Sequence, residues 1–425
     1  MLNLLRNRNF SLLWWGGLVS MLGNWMLIVA LPVYIYQETG STLATSLMFI
    51  AGTVPRVLLG SVAGVFVDRL EHKRTMVVCN LLLAATVVPL FLVTSSGALW
   101  PIYAVALLQS TIGLFFGPAE NAFLPSLVNR DSLIPANALN ALNNNLARLV
   151  GPAFGGLIVS YFGLAGIVVF DVASYLVAAA LITSVAAPTK ATRGQDAPTQ
   201  VASAWPSQLV LQWREGLAQI RCNRIMTIVL YAMTLAAFGE GAFSVLFAPF
   251  IHEAFSGGTL EFGWVMSAQA VGGILGGVLI GSLGHLKPTR VFAFGLLYLG
   301  LIDLVMFNGA TFVPSIAPVV VLMVVVGVPA TAIGAGYTTL MQTSVEDRFL
   351  GRVFSAVDAV SALALLVGMA AAGFLGDLVG VMMLVKVQGL AHTLAGLLVL
   401  AFLRLRSLKS TCVRNSSRVS SKRDG

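Results

Sequence analysis

Charged residues are what this chain has least of. Asp, Glu, Lys and Arg make up 10% of its 425 residues, against roughly 25% in an ordinary soluble domain. A chain so poor in charge cannot keep most of its surface in water, so most of it faces lipid. Cysteine is scarce too: Cys79, Cys222 and Cys412 show neither a disulfide framework nor a metal-ligand spacing. The four histidines, His72, His252, His285 and His392, are scattered and form no H-E-x-x-H group. No G-x-x-x-x-G-K-[ST] phosphate loop occurs. These absences argue against an enzyme and against a nucleotide-driven pump, and no cofactor is expected. Also missing is the alternation of apolar and polar residues that marks barrel strands.

What is present is apolar: 57% of residues, in continuous runs. Lipid offers the backbone no hydrogen bonds, and runs of about 20 apolar residues satisfy their own as helices. Twelve spans are predicted, at about 10–36, 43–67, 75–94, 101–123, 137–160, 165–186, 226–250, 262–284, 290–308, 316–340, 353–376 and 382–403. With the N-terminus in the cytoplasm, all but three of the 25 Lys and Arg fall on the cytoplasmic side, the exceptions being Arg56, Arg148 and Lys386. This positive-inside pattern predicts a multi-pass protein of the cytoplasmic membrane with both termini in the cytoplasm. The net charge of +8 then reads as a topology and lipid-headgroup signal. The expected partners are the lipid bilayer, a small-molecule substrate and protons, without nucleic acid, and the chain is expected to be a monomer.

The spans repeat. Gly60, Gly64, Gly151, Gly156 and Gly163 recur 217 positions later as Gly277, Gly281, Gly368, Gly373 and Gly380, and Lys73 recurs as Arg290. One offset over three helix pairs means an all-α membrane protein of two parallel six-helix halves, a transporter-like plan. The expected division is a bundle at 1–187, a cytoplasmic linker at 188–224, a second bundle at 225–405 and a basic, unstructured tail at 406–425. Part of the linker, about Trp205 to Ile220, reads as a surface helix.

Polar groups inside spans are costly, so they are the functional candidates. Asn24 lies in the first span, where it either bonds a neighbouring helix or lines a cavity. Arg56, beside Pro55 in the second, needs a cavity or an acidic partner. In the fifth, Asn137, Asn140, Asn144 and Arg148 are spaced three, four and four, which puts them on one face. That stripe is either interhelical glue or a water-accessible path. Directly after it, Gly151-Pro152-Ala-Phe-Gly155-Gly156 offers a bend at Pro152 and close approach for another helix. Glu240, Asp303 and Asp358 are acids within later spans, able to load and release a proton, Glu240 first among them.

The loop Gly64-x-x-x-Asp68-Arg69-x-x-x-Lys73-Arg74 resembles the signature of the major facilitator superfamily. Pro118-Ala119, Leu124-Pro125-Ser-Leu-Val, Ala136-Asn137-Ala138-Leu139-Asn140 and the Gly151 to Gly156 motif resemble the branch that includes the enterobactin exporter and the macrolide efflux pumps. The resemblance covers about residues 5–405. It implies alternating access, proton-motive force as the energy source and export of a small amphipathic or hydrophobic compound. An uptake permease and a non-transporting sensor of the same fold are the alternatives. It further implies a cytoplasmic gate of Gly64, Asp68, Arg69, Lys73, Arg74, Glu120 and Arg352. In that gate Asp68 meets the eleventh helix's N-terminus, and Arg69 or Arg74 pairs with Glu120. The chain departs from the family pattern at Glu71 and His72. Its second copy has His285 and Leu286 in place of Asp and Arg, so the charged gate is expected in the first half alone.

Overall fold

Long apolar runs with no water to bond them leave the backbone one solution, and the computed structural model follows it. It describes residues 2–67, 69–96, 98–186, 216–221, 223–282 and 286–420, and among these it contains helices and no strand. The first half holds α1 (Arg8–Thr39), α2 (Thr42–Val67), α3 (His72–Val87), α4 (Leu90–Ser96), α5 (Trp100–Phe123) and α6 (Leu133–Thr183). The second holds α7 (Arg224–Phe255), α8 (Thr259–Ser282), α9 (Pro288–Gly309), α10 (Ala317–Ser344), α11 (Asp347–Val379), α12 (Val381–Leu384) and α13 (Lys386–Ser420).

Eleven stretches of the described residues are long and apolar enough to cross a membrane. One of them, Arg130–Thr183, has 54 residues, far more than one crossing needs. It breaks at Gly163, whose φ of 65° and ψ of −167° are not helical. The break makes two crossings of one stretch and twelve in all. Gly380, its counterpart in the repeat, also has positive φ, at 94°, between α11 and α12. Each half thus turns into its last crossing at a glycine. Pro152 lies within α6 without interrupting its helical dihedrals; the break in them is at Gly163. The third crossing is two helices, α3 and α4, parted at Val88 and Pro89.

The halves start alike. Asn7 accepts from the backbone N–H groups of Asn9 and Phe10, and Asn223 from that of Ile225, capping α1 and α7. Their amides then donate to Leu127 O and Ser344 O, each at 3.2 Å. Those acceptors are related by the repeat offset.

Apolar packing shows which end of the molecule is joined. One cluster around Phe10, Met76, Phe123 and Leu139 is drawn from the first half alone, and one around Met226, Phe292, Val353 and Val399 from the second alone. Both lie at the end where α1 and α7 begin. At the opposite end Val29, Val33 and Tyr36 of α1 pack into the second half's cluster around Phe247, Phe250 and Phe307. Among the described residues, apolar packing joins the halves at the far end and stays within each half at the end that carries the N-terminus.

Two expectations need correction or limits. The chain beyond 405, expected without structure, continues as α13 to Ser420, because no glycine or proline stops the helix. The surface helix expected at 205–220 lies outside the described residues except at its end, where 216–221 is helical.

Gly163 tests the turn. A Cβ there meets nothing within 4 Å, so the demand is purely conformational. Gly163→Ala should cost about 1–3 kcal/mol and lower the thermal midpoint of the detergent-solubilised protein. Gly60→Ala, in open space inside a regular helix, should leave the midpoint unchanged or raise it.

Candidate functional site

The junction is built around positions that the repeat makes equivalent. Tyr36 Oη donates to Glu253 Oε1 at 2.5 Å, and the two are 217 residues apart. A residue can touch its own repeat mate only on the axis relating the halves. Beside them Asp377, near the C-terminal end of α11, caps the N-terminus of α2. Its Oδ1 accepts from Thr42 N at 2.7 Å and Thr42 Oγ1 at 2.8 Å, and its Oδ2 from Ser41 Oγ at 2.9 Å. A carboxylate on free helical N–H groups is stabilised by hydrogen bonding and by the helix dipole together. Lower down, Ser46 Oγ donates to Met369 O at 2.9 Å. These contacts latch the far end.

The Gly151 to Gly156 motif is where α6 meets both α1 and α8. A Cβ at Gly151 would stand 2.6 Å from Trp25 Cβ, one at Gly155 2.9 Å from Met26 Cα, and one at Gly156 2.8 Å from Leu260 Cα. A side chain on Gly263 of α8 would run into Pro152 O. Gly373, equivalent to Gly156, packs on Leu43 and Ser46 of α2, which repeats the α6–α8 contact as α11–α2.

Between these seams, at mid-span, the two halves bring their charges together. Arg148 Nη2 donates to Gln269 Oε1 on α8 at 2.9 Å. Its guanidinium lies 5.9 Å from the ring centroid of Trp25 on α1, within cation–π range. Glu240 on α7 is within electrostatic reach of Arg148 and accepts from Gln388 Nε2 at 3.5 Å. Asp303 on α9 is buried and feels the charge of Glu240. Glu240 is an exposed residue in the middle of a 32-residue membrane helix, packed among partners from α6 and α13. Its exposure is therefore to a cavity inside the molecule. Arg148 Nε and Asp303 Oδ2 are buried without partners.

Of the other expected pathway residues, Asn24 and Asn140 are half-buried, and Asn144 is exposed on the same face as Arg148. Arg56 is exposed and, among the described residues, has no ion-pair partner. Asp358 is not part of the cluster: Tyr337 Oη donates to its Oδ1 at 3.4 Å. Among the described residues, side-chain bonds between α6 and α1 are made off the stripe: Asn143 Nδ2 donates to Trp14 O at 2.8 Å, and Trp14 Nε1 to Leu139 O at 2.9 Å.

Only part of the expected gate lies within the described residues. Asp68 and the side chains around Gly64 lie outside the described residues, as does His285. Arg69 is exposed. Lys73 Nζ donates to Val185 O at 2.9 Å within the first half. Arg69 or Arg74 was expected on Glu120; of the two, Arg74 pairs through its Nε with Glu71 Oε2 at 2.7 Å. Residues three apart at the start of a helix are side by side, so Glu71 reaches Arg74 without any bundle movement. Glu120 faces Gly17 of α1, and Arg352 lies 5.7 Å from the Phe349 ring centroid.

Four contributors escaped the sequence reading. Gln269 and Gln388 carry no charge to mark them. Asp377 and Glu253 sit at span ends, where an acid is ordinary. The signal for Glu253 was available: the repeat offset lands it on Tyr36.

Two six-crossing halves about an axis, joined at one end over a charged mid-membrane cluster, define a secondary transporter of the major facilitator type. Over residues 1–423 the chain matches the family described as transmembrane secretion effector, and it belongs to that family. It is 26% identical over 374 residues to macrolide efflux protein A of Streptococcus pyogenes, covering 88% of this chain and 90% of that one. It is 27% identical over 397 residues to the multidrug efflux pump Tap of Mycolicibacterium fortuitum, covering 91% and 93%. Among solved structures, a bacterial homologue of the iron transporter ferroportin in the inward-facing state aligns with a TM-score of 0.73 at 15% identity. That alignment covers 93% of this chain and 98% of the other, and it shows the shared fold.

The far-end latch is directly testable. Asp377→Ala removes three hydrogen bonds to a carboxylate, each worth about 1.5–3 kcal/mol. In a background without the three cysteines, a single cysteine at Ser46 should then react about tenfold faster or more with a membrane-impermeant thiol reagent added at the far face. An unchanged rate would mean that Asp377 does not hold that end shut.

Proposed function

We propose that the protein is a proton-coupled exporter of a small amphipathic or hydrophobic molecule, working by alternating access. The observation that carries this reading is the cluster of Arg148, Gln269, Glu240 and Gln388 between the halves, beneath a latched far end. The positive-inside count puts the separated end in the cytoplasm, so the substrate enters from there. The relatives named as efflux pumps support export.

The residues suggest how the exchange runs. Trp25 offers an aromatic face, and Arg148 Nε a donor without an acceptor. Glu240, across the cavity, supplies the exchangeable charge. A proton taken up from outside neutralises Glu240, and the substrate's arrival from the cytoplasm displaces it. Arg148 holds the carboxylate's charge in check while the proton is absent. Breaking the Tyr36–Glu253 and Asp377–Thr42 bonds then opens the outer end as the inner ends of α2, α5, α10 and α11 approach. No nucleotide is needed, because the proton gradient supplies the energy.

Glu240→Gln fixes the neutral form. In proteoliposomes loaded with a tritiated macrolide, the variant should lose accumulation driven by an imposed pH gradient. It should keep exchange down the macrolide's own gradient. Undiminished pH-driven accumulation would remove Glu240 as the coupling acid.

A further inference from the structure

The repeat offset equates Gly23 with Glu240 and Asp171 with Gln388. In both halves the equated positions meet across the first and sixth crossings. In the second half Gln388 Nε2 donates to Glu240 Oε2. In the first, a Cβ on Gly23 would run into Asp171 Oδ1. Each half therefore holds one carboxylate at the same depth between the same two crossings, borne on opposite members of the pair. We propose that Asp171 is a proton-binding site of the transport cycle, the first half's counterpart of Glu240. The proposal rests on the proton-antiport reading above.

The surroundings of Asp171 fit a proton and not a counter-ion. The residue is 0% exposed. Ser174 Oγ donates to Asp171 O at 2.8 Å and stands 3.4 Å from Oδ1, while Oδ2 has no partner. The helices packed against α6 are α1, α3, α4 and α8; α8 meets it at Pro152 and Gly156, on the crossing before the Gly163 break, and its one charged residue is Glu261. On α1 no charged residue stands between Arg8 and Glu38; on α3 none follows Arg74; on α4 there is none. The titratable group within electrostatic reach is Tyr175, which is buried; the one buried titratable group that α3 carries is Cys79. A buried carboxylate ion with no cation beside it costs several kcal/mol. One proton on the carboxylate cancels the charge and gives the group a donor of its own. A packing role needs no acid: Asn has the same shape and the same acceptor for Ser174.

α1 is the wall between Asp171 and the central cavity. Trp25, two residues beyond Gly23 and so on nearly the opposite side of the helix, lies beneath Arg148. At Gly23 only bare backbone separates the Asp171 carboxylate from that side. A shift of α1 against α6, the axis-lining helix against its own bundle, brings the carboxyl group to cavity water. There the O–H bond breaks, the proton leaves with water and the carboxylate remains; no other bond changes.

The test uses the full-length protein in proteoliposomes with a tritiated macrolide, read in two modes, pH-driven accumulation and downhill exchange. Wild type without pH-driven accumulation would overturn the antiport reading itself. With wild type coupled, Asp171→Asn should lose pH-driven accumulation and keep exchange. An Asp171→Asn protein that accumulates as well as wild type would overturn the proposal. The second variant transplants the other half's arrangement, Gly23→Glu with Asp171→Gln. It should regain coupling that Asp171→Gln alone lacks. Loss of both modes in every variant would show that Asp171 only holds the helices together, and would also overturn it.

Discussion

Tyr36 and Glu253 occupy the same position in the two repeats and share a hydrogen bond, which places both on the axis between the halves. The rest of the junction follows from that one contact. The glycines at 156 and 373 bring α8 and α2 against α6 and α11 in matching seams. Asp377 then finds the N-terminus of α2, and the far end closes. Small residues permit close approach without bonding, so such seams can hold in one state and part in another. The polar bonds at the far end decide which.

The two halves share a backbone plan and differ in where they carry charge. At mid-span the first half contributes the cation Arg148 and the second the anion Glu240. In lipid neither is tolerable alone, and a cavity between the halves is where both can be hydrated or partnered. The unmatched charges lie between the halves, while the matched glycines recur at the helix seams and turns. Gly163 and Gly380 belong to the second group, sharing positive φ at equivalent turns.

The architecture was legible because its signals are local or periodic: apolar runs set the crossings, and the glycine offset set the halves. The site was legible only residue by residue. Arg148 and Glu240 stood out as charges within spans, but their meeting depends on packing between bundles, which no local pattern encodes. Of the two cations expected on Glu120, Arg74 is held by Glu71, one of the departures from the family loop and three residues before it. Asp171 was passed over although it is the only charged residue of its crossing. Comparing the two halves at Gln388 would have raised it.

The central claim is that the ends exchange closure about the axis. Its most direct measurement uses two pairs of spin labels, each at repeat-equivalent, exposed positions. Thr39 with Ser256 reports the far end, and Arg69 with Leu286 the end carrying the N-terminus. Their separations are read by pulsed dipolar spectroscopy in liposomes, with and without a tritiated macrolide and at two pH values. The account predicts opposite changes: the far pair lengthens in the same population in which the near pair shortens. Separations that stay fixed, or that lengthen together, would contradict it.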